Sequence, residues 1–452
     1  MPATSASRPA VVYAAGDPVP TLPPEQLEKN FAEIAPALTP DAALLEANKC
    51  LYCYDAPCTQ ACPTHIDVPS FIHKIATGNM RGSARVILDA NPMGHSCARA
   101  CPVDVLCEGA CVLNDRDEQP IKIALLQRHA TDWALGHDYQ PFSAGPANGK
   151  SVAIVGAGPA GLSCARDLRR FGYAVTIFEE KDRPGGLNSF GIAEYKMRLP
   201  LALAEAKMVL DLGVEVKTGV RVGTDVSMRQ LQNDFDAVFV AIGLGATRRL
   251  GIPGEDLHGV SDALVFIEHL KSNPHRETRI GRHVVVIGAG NTAIDAATQA
   301  KRLGAERVTL VYRRGPEDMS AYEYEYELAK HDGCEFRFHT VPKAVKGKDR
   351  VTGLECVRSE VGAPGPDGKR LFREVPDSGH VIECDTILRA LGQTPRDDLA
   401  KALGLHVEGS RMVSDNPKVL VGGDCMTGGA EIVNAAADGV QAARQIHELL
   451  SK

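Results

Sequence analysis

The alternation of apolar and polar positions splits the chain into a helical first part and a strand–helix remainder. PEQLEKNFAEIA and PDAALLEANKCL place apolar residues at helical spacing behind a Pro- and Ala-rich start, and IKIALLQRHATDWA (121–134) does the same. Residues 140–150 (QPFSAGPANGK) have the pattern of a linker. Beyond them the character changes: the apolar run 151–155 leads straight into GAGPAG (156–161) and then a helical segment, LSCARDLRRFG. The same design recurs as HVVVI (283–287), GAGNTA (288–293) and IDAATQAKRLG. A spacing of about 132 residues between the copies is too long for a solenoid and predicts two dinucleotide-binding domains. The Gly/Pro-rich stretch 362–379 predicts an exposed hairpin in or beside the second.

Each glycine fingerprint has a physical task. After a strand, the first Gly makes the tight turn, the second lets backbone approach a pyrophosphate, and the third packs helix against strand, while the helix N-terminus holds the phosphates. In the first copy these are Gly156, Gly158 and Gly161, with Pro159 and Ala160 between them. The following strand, AVTIF, ends in Glu179, an acid placed for a ribose hydroxyl pair. The second copy has Gly288, Gly290, Asn291 and Thr292, with Ala293 at the third glycine position. Its next strand ends in Arg313 and Arg314, whose fork-shaped donors suit a 2′-phosphate. NADPH is therefore expected over NADH, with NADH as the alternative.

Composition narrows the class. The 452 residues carry 44% hydrophobic and 24% charged side chains, and a net charge of -7 offers no general attraction to nucleic acid or anionic membrane. The longest uncharged stretch, 151–165, contains three glycines and falls short of the roughly 18 apolar residues a membrane helix needs. The first residues, MPATSASRPA, lack a secretory pattern, so a cytoplasmic location is expected. Eight of the 13 cysteines lie between Cys50 and Cys111, and in a reducing compartment such crowding points to metal rather than disulfides. The spacing is Cys50-x2-Cys53-x4-Cys58-x3-Cys62-Pro, then Cys97-x3-Cys101-Pro-x4-Cys107-x3-Cys111. Thiolate runs with a Cys-Pro are in the style of [4Fe-4S] ligation, and the count fits two clusters; structural zinc is the competing reading. The remaining cysteines form no Cys-x-x-Cys, and Cys164 reads as a small core residue.

Three further segments, RPGGL (183–187), FDAVFVAIG (235–243) and VLVGGD (419–424), complete a resemblance to pyridine-nucleotide-disulfide-reductase flavoproteins. The implied fold is α/β: tandem Rossmann-like FAD and NAD(P)H domains preceded by an α-helical domain with two [4Fe-4S] clusters. By that resemblance Gly423 and Asp424 bind the ribityl chain, and Ile432 and Val433 at the next helix start face the flavin. Gly186, Leu187, Lys196, Gly243 and Gly392 join the expected cofactor-binding residues. With CLYCYDAPCTQACP, the second cysteine group and the LLQR helix, the chain resembles the glutamate synthase small (beta) subunit family. The same architecture occurs in the N-terminal half of dihydropyrimidine dehydrogenase and in its bacterial PreT-type electron-input subunits.

The resemblance further implies interleaved ligation: Cys50, Cys53, Cys58 and Cys111 for one cluster, Cys62, Cys101, Cys107 and Gln127 for the other, leaving Cys97 spare. Counting thiols alone would instead make Cys97 a ligand. The expected division is a helical iron–sulfur domain over 1–140, a linker over 141–150, an FAD domain over 151–270 and 385–452, and an NAD(P)H domain over 271–384. The expected chemistry is hydride transfer from NAD(P)H to FAD and single electrons leaving through the clusters, which cofactors perform without a side-chain acid or base. The segment GIAEYK (191–196) replaces the Pro and Phe common in the family but keeps Lys196. CLYCYDAPC, LLQR and GGLNSFGIAEYK look closest to PreT-type subunits. This implies a PreA-like, FMN-containing dihydropyrimidine dehydrogenase catalytic subunit as partner, a hetero-oligomer, and reduction of uracil or thymine or the reverse. The alternative is the small subunit of NADPH-dependent glutamate synthase. The run SAYEYEYELAK is expected as a helix edge beside the nicotinamide site, and His65 as structural.

Overall fold

The computed structural model describes residues 11–116, 118–365, 370–409 and 411–452, and these form two compact units. The larger comprises Glu33–Ser189, Lys196–Gly245 and Pro395–Lys452. Its sheet holds five parallel strands in the order Val419–Val421, Ala237–Val240, Ser151–Val155, Ala174–Glu179 and Glu215–Thr218. The central strands are continuous apolar runs, as a parallel sheet covered on both faces requires. Helices Pro159–Arg170 and Ile432–Leu450 pack together over it.

The cysteine-rich helices belong to this same unit. Val68–Ala76, Met80–Ala90, Gly94–Ala100 and Ile123–Gly136 bury Phe71, Ile72, Ile87 and Leu126, and one apolar core continues from these into Ile154, Leu162 and Phe239. Two polar bridges fasten the helices to the sheet domain. Arg166 donates to the Leu88 and Asp89 carbonyls at 2.9 and 3.0 Å. The fully buried Glu205, on helix Leu199–Leu210, accepts from the His95 and Ser96 amides at 2.8 and 3.2 Å and from the Ser96 hydroxyl. The expected linker is irregular but pinned: Gly145 and Asn148 amides donate to Arg169 and Gly172 carbonyls, and Phe142 lies under the Arg166 and Arg170 guanidiniums.

The smaller unit comprises, among the described residues, 11–32, Phe190–Tyr195 and the segment from Ala246 to Thr394. Its parallel order is Glu335–Arg337, Arg307–Val311, His283–Ile287, Thr386–Arg389 and Val260–Asp262. The expected boundaries therefore shift, because strands Val260–Asp262 and Thr386–Arg389 pair in this sheet: the divisions at 270 and 384 move to 245 and 394. The N-terminal stretch, expected with the cysteine helices, also joins this unit, since Val11–Tyr13 pairs with Thr278–Ile280 and Phe31 stacks on His275 at 3.9 Å. An antiparallel sheet of Thr340–Gly347, Val351–Pro364, Arg370–Glu374 and His380–Glu383 is inserted before the last parallel strand. It contains the expected hairpin in the antiparallel pair Val351–Pro364 and Arg370–Glu374, and residues 366–369 lie outside the described ones. No described helix is long and apolar enough to cross a membrane.

Tyr195, where the family often has Phe, shows why that change is tolerated. Its hydroxyl donates to Asp295 at 3.0 Å and meets Thr298 at 2.7 Å, while the Arg302 guanidinium lies 4.1 Å over its ring. Lys271 is buried beside it, donating to the Ile192 carbonyl at 2.9 Å, and burial lowers its pKa to about 8. Residues Phe190–Tyr195 are thereby tied to helix Asn291–Arg302.

At Gly439 the two crossing helices of the larger unit approach so closely that a Cβ would collide with the Ala160 carbonyl. Gly439→Ala is expected to destabilise the unit by about 1–3 kcal/mol through forced separation of the two helices. A lowered Tm with weakened flavin retention in thermal melts would show it.

Candidate functional site

Three groups of residues collect at the ends of these elements. In the larger unit, the C-terminal ends of the strands form the crevice in which doubly wound sheets bind ligands. Gly156 has φ +104 and lies against the Ala241 carbonyl, and Gly161 packs on Gly156, so neither position admits a side chain. Gly158 has no atom nearer than 3.8 Å to a would-be Cβ, leaving space above the N-terminus of helix Pro159–Arg170. Gly186 touches Gly158, and the Gly185 amide donates to the Ala157 carbonyl at 2.8 Å, which brings the RPGGL loop with Leu187 beside the fingerprint.

Glu179 is buried at the end of its strand, with carboxylate oxygens 2.8 Å from the Ala157 and Lys181 amides. Burial raises its pKa, and those two bonds oppose the rise. Gly423 has φ +72 and its amide donates to Asp438 at 3.0 Å. Asp424 accepts from the Ala430 amide at 3.1 Å, which draws in the turn before helix Ile432–Leu450, where Val433 is buried. Gly243 follows the neighbouring strand with φ +60 and Lys196 is buried. The glycine cradle, ribose-side acid and late Gly-Asp all open on one crevice and fit an FAD.

The smaller unit repeats the design. Gly288 (φ +137) sits against the Ala390 carbonyl, and Gly290 begins helix Asn291–Arg302. Asn291 accepts from the Tyr322 amide at 3.3 Å, tying the start of helix Glu323–His331 to the glycine loop. The Tyr/Glu run is therefore helical as expected, with Glu325 buried and Glu323 and Glu327 exposed. Arg313 and Arg314 follow strand Arg307–Val311, and Gly392 follows Thr386–Arg389 with φ +78. This set fits a nicotinamide dinucleotide.

The cysteines of the larger unit fall into two groups. Cys50, Cys53, Cys58 and Cys111 line one cavity with the apolar Ile72 and Ile123. Cys62, Cys101 and Cys107 are neighbours, and Cys97 meets Cys101 within that second group. Burial, then Cys50 and Cys111, push the Cys58 thiol up to about 12, and burial, then Glu108 and Cys62, raise Cys107. Thiolates so placed need a strongly cationic partner. Among the described residues no three His, Cys, Asp or Glu converge closely enough for one ion, whereas an iron–sulfur cubane holds its ligands farther apart. The apolar, multi-thiol cavity fits a cluster better than tetrahedral zinc. Gln127 is buried, its amide nitrogen donating to the Gly94 carbonyl at 2.8 Å, an anchor made through Nε2 and not Oε1. Buried Glu205 and Arg166, which hold these helices, carried no motif; only their position on amphipathic helices marked them.

Together these sites define a flavin-dependent oxidoreductase with an iron–sulfur module. Residues 150–439 match the family described as pyridine nucleotide-disulphide oxidoreductase, and 27–139 match dihydropyrimidine dehydrogenase domain II, 4Fe-4S cluster. The chain belongs to that oxidoreductase family, in the group that includes the glutamate synthase small chains. It is 34% identical to the glutamate synthase [NADPH] small chain of Halomonas elongata, over 93% of this chain and 94% of the relative. It is 32% identical to the NAD-dependent dihydropyrimidine dehydrogenase subunit PreT homolog of Salmonella typhi, over 94% and 98%. Mycobacterium tuberculosis FprA in complex with NADPH shares the fold, with 22% identity and a TM-score of 0.55 over 67% of this chain and 85% of that one. The protein is an NAD(P)H-dependent FAD and iron–sulfur oxidoreductase.

Proposed function

We propose that the chain is the electron-input subunit of a hetero-oligomer: it oxidises NAD(P)H at FAD and delivers electrons through two [4Fe-4S] clusters to a partner subunit. The observation carrying this is that both thiol groups and the flavin crevice share one compact unit with a continuous core. When bound, the cofactors supply hydride acceptance and one-electron transfer. The chain's residues position them. Gly156, Gly158, Pro159, Ala160, Gly161, Glu179, Gly186, Leu187, Lys196, Gly243, Gly423, Asp424, Ile432 and Val433 hold FAD. Gly288, Gly290, Asn291, Thr292, Arg313, Arg314 and Gly392 hold the nicotinamide nucleotide. Cys50, Cys53, Cys58 and Cys111 ligate one cluster, and Cys62, Cys101, Cys107 and Gln127 the other.

The client we propose is an FMN-containing subunit that interconverts uracil or thymine with the 5,6-dihydro compound. The segments CLYCYDAPC and GGLNSFGIAEYK, and the likeness to the PreT homolog, support it. The 34% identity to a glutamate synthase small chain favours a second reading, in which the partner is the glutamate synthase large subunit.

Two measurements test this section. Gln127→Ala is expected to lose or convert one cluster, seen in iron content and electron paramagnetic resonance, while Cys97→Ala keeps both; the reverse pattern makes Cys97 the ligand. Anaerobic uracil reduction by NADPH or NADH is expected only when the chain is combined with the pyrimidine-site subunit. No turnover there, with glutamate formed beside a glutamate synthase large subunit, selects the second reading.

A further inference from the structure

The two arginines after strand Arg307–Val311 are held by the inserted sheet rather than by carboxylates. Arg314 Nε donates to the Arg370 carbonyl at 2.6 Å, and the Arg313 guanidinium lies 4.9 Å from the centroid of Phe372. Arg370 and Phe372 are on one strand, Arg370–Glu374, of the hairpin with Val351–Pro364. The backbone beneath is tied to the same sheet: the Ser359 hydroxyl donates to the Arg313 carbonyl at 2.7 Å, and the His339 amide to the Arg314 carbonyl at 3.1 Å.

Charge is partitioned across this strand. Arg370 is neutralised by Glu317 and by Asp318 at 2.8 Å. Among the described residues Arg313, Arg314 and the nearby Arg248 form no salt bridge of their own, and the Asp318 carboxylate that acts on Arg314 from a distance is bonded to Arg370. Partial desolvation, then Arg314, lower the Arg313 pKa, and Arg248 adds to the effect against an opposing contribution from Tyr312. Holding guanidiniums in this way costs free energy that a bound dianion recovers.

We propose that the hairpin determines nucleotide specificity: Phe372, by stacking on Arg313, and the Arg370 carbonyl, by fixing Arg314, orient both guanidiniums to receive the 2′-phosphate of NADPH. This rests on the nicotinamide reading of Arg313 and Arg314. Phe372 is then a positioning residue that acts through Arg313. A bare arginine pair on a loop would order its rotamers only on binding; the stack removes part of that cost beforehand.

The test is calorimetric titration of the full chain with 2′,5′-ADP and with 5′-AMP. Wild type is expected to bind 2′,5′-ADP more tightly, and Arg313→Ala to lose that preference. Phe372→Leu should bind 2′,5′-ADP roughly three- to tenfold more weakly, the worth of one cation–π contact, with 5′-AMP affinity unchanged. Phe372→Tyr should restore binding, which a general loss of hairpin folding would not allow. If wild type shows no preference, the NADPH reading falls and the proposal with it. If wild type prefers 2′,5′-ADP and Arg313→Ala abolishes the preference while Phe372→Leu changes nothing, the reading stands and the hairpin's role is refuted.

Discussion

A buried carboxylate holds the cysteine helices on the flavin domain. Glu205 accepts three hydrogen bonds from the first residues of helix Gly94–Ala100, which carries Cys97 and leads to Cys101. Burial pushes its pKa up to about 7, and the hydrogen bonds from Ser96 and His95 pull against that shift. Asn188, in the short helix Leu187–Phe190 that follows the RPGG turn, donates to the same Ser96 hydroxyl at 3.0 Å. The flavin-side loop and the helix leading to the second thiol group therefore share one polar knot. Electron tunnelling falls steeply with distance, so a route out of a flavin needs this kind of rigid, non-negotiable spacing.

The chain has two glycine loops, one in each unit, with different electrostatics. The flavin-side loop is backed by an acid, Glu179, whose carboxylate is spent on backbone amides of the loop itself. The nicotinamide-side loop is backed by guanidiniums whose nearest carboxylates are committed to Arg370. The same strand–loop–helix frame is thus backed by a carboxylate in one unit and by guanidiniums in the other, a difference in charge that suits two different nucleotides.

Much of this was legible in the sequence, and for physical reasons. Parallel strands such as Ser151–Val155 and His283–Ile287 are short apolar runs beside obligatory glycines, and thiol spacing survives in any fold. What was hidden depends on contacts between distant segments. The pairing of Val11–Tyr13 with Thr278–Ile280 is carried by three-residue strands with no turn chemistry. The reassignment of Val260–Asp262 and Thr386–Arg389 follows from register with His283–Ile287, which periodicity does not encode. Glu205 and Phe372 look in sequence like an ordinary helix acid and a strand aromatic; only their partners give them meaning. Tyr195 was noted as a departure from a family motif that otherwise keeps Lys196, and the bonds from Tyr195 to Asp295 and Thr298 supply a reason no local pattern contains.

The central claim is that one chain holds FAD together with two iron–sulfur clusters. It is tested most directly by growing the protein with isotope-enriched iron, purifying it without oxygen, and recording Mössbauer spectra alongside flavin, iron and acid-labile sulfide content. The account predicts one FAD and two four-iron, four-sulfide clusters per chain, one of them with a distinct iron site from its non-thiolate ligand. Zinc in place of iron, or a single cluster with the second thiol group free, would contradict it.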